Sequence, residues 1–228
     1  MGRGIIIAID GPAGVGKSTV GKTVASRLGF RFVNTGEMYR ALAWKAVKTG
    51  VDLEDGAALA RLAAKTKWSF KSGRGTAIKT VVDGVAMGRQ IRAERVSKAS
   101  SLIAKYAGVR RFMTRLQRRL GKSGGIIMEG RDIGTVVFPG AEMKIFLDAS
   151  AEERARRRCL QLEEAGFPAD YRAILSGIKT RDLNDAKRAI APLKKAPGAV
   201  VIDTSRLEAG KVIDKITALA REKWSPIC

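Results

Sequence analysis

The chain has 228 residues, enough to bury a sizeable core and to build one α/β domain with insertions. It contains no histidine, which excludes His-based general acid/base chemistry, His zinc sites and Ser-His-Asp triads. Its 43 Lys and Arg against 22 Asp and Glu give a formal net charge of +21, so anionic partners are expected, either nucleotides or nucleic acids.

Residues 4–10, GIIIAID, form a continuous β-branched run of the kind buried on both faces of a parallel sheet. Val20, Val24 and Leu28 then recur at i, i+4 and i+8, which predicts an amphipathic helix ended by Gly29. A second strand is expected over 30–35, and a helix from Glu37 to Lys48 that stops at Gly50. From about Asp52 to Gly88 the pattern changes to a short Ala/Leu-rich helix, WSFKS, the turn-rich SGRG and AIKTVVDGVAM. Asp83-Gly84 is a hairpin signal, so a small antiparallel insert is expected. Helices are predicted over 93–106 and 108–121, the second carrying Arg110, Arg111, Arg115, Arg118 and Arg119. Strand patterns return at 125–130, 143–149 and 199–204, with helices opening after Ser150 and over 171–187 and 208–223. Five parallel strands alternating with helices give a doubly wound, P-loop NTPase-type α/β fold, read as a single domain over 1–228 with ligands at the carboxyl ends of the strands.

Between the first strand and the first helix lies GPAGVGKST, whose first eight residues fit Gly-x-x-x-x-Gly-Lys-Ser/Thr. Gly11, Gly14 and Gly16 allow the backbone to wrap around phosphate oxygens, with Pro12, Ala13, Val15 and Thr19 completing the nucleotide-binding stretch. Lys17 can reach the outer phosphates and Ser18 can offer its hydroxyl to Mg²⁺, so the loop is expected to bind Mg-ATP or another Mg-nucleoside triphosphate. The loop does not say which chemistry follows. Asn-Lys-x-Asp and Asp-x-x-Gly, which a guanine switch carries, are both absent from the sequence. A kinase for a phosphorylated acceptor needs arginines to offset the repulsion of two anions, and arginines stand at strand ends. NTGEMYR places Thr35, Tyr39 and Arg40 after the second strand, and EGRDIGT places Glu129, Arg131 and Asp132 after the third. Arg40 and Arg131 can also be read as solvated, and Glu129 either holds water on Mg²⁺ or caps the following turn.

KTRDLNDAKRAIAPL sets Arg181, Asp185 and Arg188 at i, i+4 and i+7. They form either a surface salt-bridge ladder or a face with Asp185 toward ribose hydroxyls and the arginines toward phosphate. ERARRR, Glu153–Arg158, is either a solvated helix or part of a lid over about 150–168 whose arginines close on the transferring phosphoryl group. Spacing does not rank Arg154, Arg157 and Arg158; Arg157 is assigned to the triphosphate.

These motifs resemble the bacterial cytidylate kinases, which are nucleoside-monophosphate kinases. The resemblance runs nearly end to end, through GPAGVGKST, NTGEMYR, EGRDIGTVVFPGAEMKIFLDASAEERARRR, KTRDLNDAKRAIAPL and VVIDTS. It implies transfer of the γ-phosphoryl group of Mg-ATP to CMP or dCMP, with an enlarged monophosphate-binding insert at about 40–100. Arg40, Arg131 and Arg188 would contact the acceptor phosphate, Arg181 and Asp185 its ribose, and Ser101, Arg110 and Asp132 the base. Cytosine offers an amino donor at N4 and an acceptor at N3, which suits a carboxylate beside a guanidinium, whereas uracil presents a carbonyl in place of the amine. The chain departs from the more usual Asp-Thr-Gly-Ala-Met-Tyr-Arg at Asn34 and Glu37. A UMP-specific or broader nucleoside-monophosphate kinase is the alternative within the class.

Outside the class, the charge admits a basic nucleic-acid-binding P-loop protein. Aromatic residues make up only 6% of the chain, too few for the stacking platforms of common RNA modules. Weak salt-dependent polyanion binding is therefore expected, with no specific nucleic-acid partner. Two cysteines, Cys159 and Cys228, are too few and too far apart for a metal site and need no disulfide. The early Arg3 and the short apolar run after it do not read as a signal peptide, and no apolar stretch approaches the ~20 residues of a membrane span. A soluble, monomeric cytoplasmic protein is expected.

Overall fold

The computed structural model describes residues 4–73, 75–164 and 166–224; Arg3, Arg74 in the SGRG turn and Cys228 lie outside them. Five strands, β1 (Ile6–Asp10), β2 (Arg31–Asn34), β6 (Ile126–Gly130), β7 (Met143–Asp148) and β8 (Val200–Asp203), pair in parallel in the order β2-β6-β1-β7-β8. Successive residues of β1 and β6 serve opposite cores, as the two-residue period requires. Ala8, Ile126 and Met128 join one cluster with α2 (Thr35–Lys48), α3 (Gly56–Lys65), α4 (Glu94–Ile103) and α5 (Ala107–Gly121). Ile7, Ile9 and Ile127 join the other, beneath α1 (Lys17–Leu28) and α8 (Ala209–Lys223). Burial on both faces explains the unbroken apolar run of β1.

The insert is a three-stranded antiparallel sheet in the order β3 (Trp68–Ser72), β4 (Ile78–Val82), β5 (Val85–Ala86). Asp83 and Gly84, with φ of 49° and 82°, make the expected tight turn. Trp68, Phe70 and Ile78 pack on the α2 side of the core, and Phe32 N donates to Thr76 O, which joins the insert to the β2 edge of the main sheet.

Several boundaries move for identifiable reasons. The second helix begins at Thr35, two residues before Glu37, because the Asn34 side chain caps it by accepting from Glu37 N at 3.2 Å. The helix expected over 93–106 ends at Ile103, and α5 starts at Ala107. Helix α7 (Tyr171–Ala186) stops before Arg188, which therefore does not lie on a helical face with Arg181 and Asp185. Asp185 O accepts instead from Leu193 N at 2.8 Å, across the turn that contains Pro192. α6 (Ala151–Glu164) is capped by Ser150, whose hydroxyl accepts from Glu153 N, and it packs along α7. Among the described residues Cys159 is unpaired and no helix is long and apolar enough to cross a membrane.

Candidate active site

The carboxyl ends of three neighbouring strands lie level: Asp10 is in register with Gly130, and Glu129 with Asn34. The loops that leave them converge on one cleft. Residues 11–16 form the phosphate loop. A Cβ on Gly11 would stand 2.0 Å from Leu147 O, so glycine is the residue that fits the close approach to β7. Gly16, at φ 88°, is the N-cap of α1 and turns the chain so that the helix amides face the cradle. Lys17 is buried and its Nζ donates back to Gly11 O at 2.8 Å and to Pro12 O. Burial, reinforced by the nearby Arg131 charge, pushes its pKa well below the ordinary lysine value, and Glu129 and Asp10 oppose that shift.

Ser18 Oγ donates to Glu129 Oε1 at 2.5 Å, and Asn34 Nδ2 donates to Ser18 Oγ at 3.2 Å. Asn34, without the charge of the usual aspartate, thus both caps α2 and steers Ser18. Glu129 Oε2 is buried and accepts no hydrogen bond among the described residues. Burial raises the Glu129 pKa despite Lys17 and Ser18. An unpartnered carboxylate oxygen beside the Ser18 hydroxyl, in the first turn of α1, suits Mg²⁺ through a water, so these residues fit the expected metal and do not support the turn-cap role of Glu129. Thr35 Oγ1 donates to Glu129 O at 2.7 Å, stapling β2 to β6 beneath the cleft.

The acceptor side is made of charged side chains. Arg131 Nε donates to Asp185 Oδ2 at 2.9 Å, and Arg188 Nη2 to Asp185 Oδ1. Burial alone would raise the Asp185 pKa, but Arg131 and Arg188 outweigh it and hold the carboxyl below its ordinary value. Arg181 is pushed down to about 10 by burial and then by Arg131, and its buried Nε has no hydrogen-bond partner among the described residues. Arg181 Nη1 approaches Ser97 Oγ at 3.4 Å. Arg40 is lowered by burial, with Glu37 and Glu129 opposing and Arg131 and Arg92 adding to the shift. The departure at Glu37 therefore faces Arg40 and is only half-buried. Mutually repelling arginines with an unpartnered buried donor form a site that gains from an anion. The surface-ladder reading of Arg181, Asp185 and Arg188 does not hold, because Asp185 is buried.

Deeper in the cleft Arg110 Nη2 is paired with Asp132 Oδ2, both residues buried, and the guanidinium lies 5.7 Å from the centre of the Tyr39 ring. Arg110 Nη1 also donates to Ala104 O at 3.2 Å. Asp132 Oδ1 accepts no hydrogen bond among the described residues. Burial pushes the Tyr39 hydroxyl up to about 12. Ser101 lies half-buried on α4 and its hydroxyl makes no hydrogen bond among the described residues; the α4 serine that meets the cluster is Ser97.

Asp10 escapes a linear reading, as does the choice among the arginines of 153–158. Asp10 is buried and accepts Ile133 N at 2.8 Å and Gly134 N at 2.7 Å, fixing the turn that follows Arg131 and Asp132. A carboxylate ending an apolar strand was its only sequence signal. Arg154 is buried, donating to Ala13 O in the phosphate loop at 3.1 Å and pairing with Asp182 of α7 at 2.5 Å. Arg157 is half-buried and donates to Thr204 O at 2.5 Å and to Glu153, while Arg158 is exposed. The arginine of 153–158 that touches the phosphate loop is thus Arg154.

Comparison with known proteins agrees with this geometry. The family model described as cytidylate kinase matches residues 7–222. A curated cytidylate kinase of Pelotomaculum thermopropionicum is 48% identical over 93% of this chain and 94% of its own length. One from Geobacillus kaustophilus is 47% identical over 98% and 99%. A solved structure of an uncharacterized protein from Eubacterium ventriosum superposes with a TM-score of 0.52 at 13% identity, covering 96% of this chain and 98% of that one, a likeness of fold alone. With the motifs, the cleft and full-length relatives in agreement, this chain belongs to the cytidylate kinase family.

Proposed function

We propose that the protein transfers the γ-phosphoryl group of Mg-ATP to CMP or dCMP, giving ADP and CDP or dCDP. The observation that carries this reading is the buried Arg110–Asp132 pair at the floor of an arginine-lined cleft. Asp132 Oδ1 is available to accept from the N4 amine, while Arg110 can donate to the ring. The carbonyl of uracil at that position would meet a carboxylate, which disfavours UMP.

The reaction needs no protein nucleophile. An oxygen of the acceptor phosphate bonds to the γ-phosphorus as the bond to the β,γ-bridging oxygen breaks, and that electron pair leaves with ADP. Catalysis is then positioning and charge neutralisation. Lys17 and the loop amides hold the donor phosphates. Arg40, Arg131 and Arg188 take the acceptor phosphate, with Arg181 beside them, and Asp185 exchanges part of its hold on the arginines for the ribose hydroxyls. Ser18, and Glu129 through a water, would hold magnesium, which when bound would supply charge neutralisation on the donor phosphates. Arg154 and Asp182 tie α6 and α7 to the phosphate loop, so closure of this lid excludes water where the two phosphates meet. Arg157 packs beside Thr204, on the donor side of the same lid. The insert between α2 and α4 forms the acceptor wall.

The test is ADP formation from Mg-ATP with CMP, dCMP, UMP, AMP and GMP offered separately at low concentration. Turnover confined to CMP and dCMP is expected. Equal rates with UMP would remove the base-reading role of Asp132, and five inert acceptors would end the kinase reading.

A further inference from the structure

Helix α5 is used on both sides. Its inner face buries Val109, Met113 and Leu116 and aims Arg110 at the cleft. Its outer face carries Arg111, Arg115, Arg118, Arg119 and, just past its end, Lys122, all exposed, and its 15 residues include no acid. Arg111, Arg115 and Arg119 recur every four residues, a rise of about 6 Å from one to the next, so they form one row along the helix. They pair with no carboxylate among the described residues, although twelve ion pairs occur among those same residues. The row runs into a shallow concavity lined by Arg31, Arg119, Leu120, Lys122 and Ser123. Among the described residues Arg31 bonds there to neutral oxygens, Leu120 O, Ser123 Oγ and Gly124 O, and Arg118 likewise to Val136 O and Val137 O.

Such a face is electrostatically costly because like charges repel along it. Complementing the helix dipole explains a cation or two in the last turn, Arg118 and Arg119, but not Arg111 and Arg115 further up. The exposed basic residues within the helix are all arginine, whose planar fork matches phosphate oxygens in a way a lysine ammonium does not. No exposed aromatic interrupts the row, so base stacking has no platform here. We propose that the outer face of α5, with Arg31 and the concavity at its end, binds the phosphate backbone of RNA without reading its sequence. The face lies on the opposite side of the helix from Arg110, so a bound strand leaves the nucleotide cleft open.

The test uses the full chain and a fluorescein-labelled 20-nucleotide RNA of mixed sequence, followed by anisotropy at several salt concentrations. One variant replaces Arg111, Arg115 and Arg119 by Gln. A charge-matched control replaces Lys211, Lys215 and Lys223, exposed on α8 at the other face of the sheet, by Gln. The arginine variant is expected to bind at least about tenfold more weakly. Its slope of log K against log salt should fall by about 2–3, since each lost phosphate contact removes about 0.7–0.9. The lysine control should bind nearly as the parent does, and ADP formation with CMP should be unchanged in both. Equal losses in the two variants would overturn the proposal in favour of diffuse attraction to net charge. So would absence of RNA binding at low salt, or arginine-dependent binding to anionic phospholipid vesicles without binding to RNA.

Discussion

The two halves of the cleft are built from different materials. The donor half is mostly backbone, one contiguous loop closed by Gly11 and Gly16 and backed by the start of α1. The acceptor half is side chains from four distant segments, with Arg40, Arg110, Arg131–Asp132 and Arg181–Arg188 converging through the strand order. A phosphate chain common to all nucleotides can be held by amides, whereas a particular base and a second phosphate need placed charges. The donor half should therefore fail through shape and the acceptor half through charge.

The largest effect is expected at Gly11. An alanine there would set its Cβ 2.0 Å from Leu147 O, and backbone cannot yield as a flexible side chain does. Gly11→Ala should abolish ADP formation while CMP binding by calorimetry is retained; normal activity would break the claim that shape governs this half. Next comes Arg131→Ala, which removes a charge that stabilises the transferring group. A loss of about 10²–10³ in kcat is expected. Circular dichroism should still report the native fold, because Asp185 keeps Arg188 as a partner. A collapsed spectrum or an unchanged rate would refute it.

Asp132→Asn tests charge in its purest form, since the shape hardly changes. The amide can donate to the uracil carbonyl, so the ratio of kcat/KM for CMP over UMP should fall by about 10². A ratio that stays put would shift base recognition elsewhere on α4 or α5.

The same contrast decides how much of the site is legible in the sequence. Glycines and Lys17 are local requirements of one loop, so residues 11–19 announce themselves, and the β1 run declares a strand buried on both faces. The acceptor residues are separated by up to about 150 positions, and no local spacing says that Arg131 and Arg188 share Asp185; the family resemblance supplied that grouping. The i+7 spacing of Arg188 matches the helical period, yet Pro192 and the Leu193–Asp185 bond end α7 first. Among Arg154, Arg157 and Arg158 only the packing of α6 against α7 separates the buried residue from the exposed one. Asp10 carries no pattern at all, because its partners are amides of a turn more than a hundred residues away.

Asp10 joins the two halves, and its substitution should have the smallest effect on turnover. It sits one residue before the phosphate loop and grips the turn behind Asp132. Asp10→Asn keeps an acceptor for one amide but turns an NH₂ toward the other, so about tenfold in kcat/KM for CMP is expected, from loss of about 1.5 kcal/mol. Stability separates this role from simple packing. Burial raises the Asp10 pKa from 3.8 to about 6, and the Ile133 and Gly134 amides offset it only in part. A carboxyl with a raised folded pKa holds its proton more tightly in the folded than in the unfolded chain. The contribution is therefore most favourable below about pH 4 and is lost as pH rises toward 6, by at most about 3 kcal/mol. Urea unfolding of parent and Asp10→Asn across this range isolates the group, since every other titration is common to both. The parent should lose stability relative to the variant between pH 4 and 6 and track it above 7. Parallel curves throughout would mean that the carboxylate is as well solvated by its two amides as by water, and the link between the halves would then be one of shape alone.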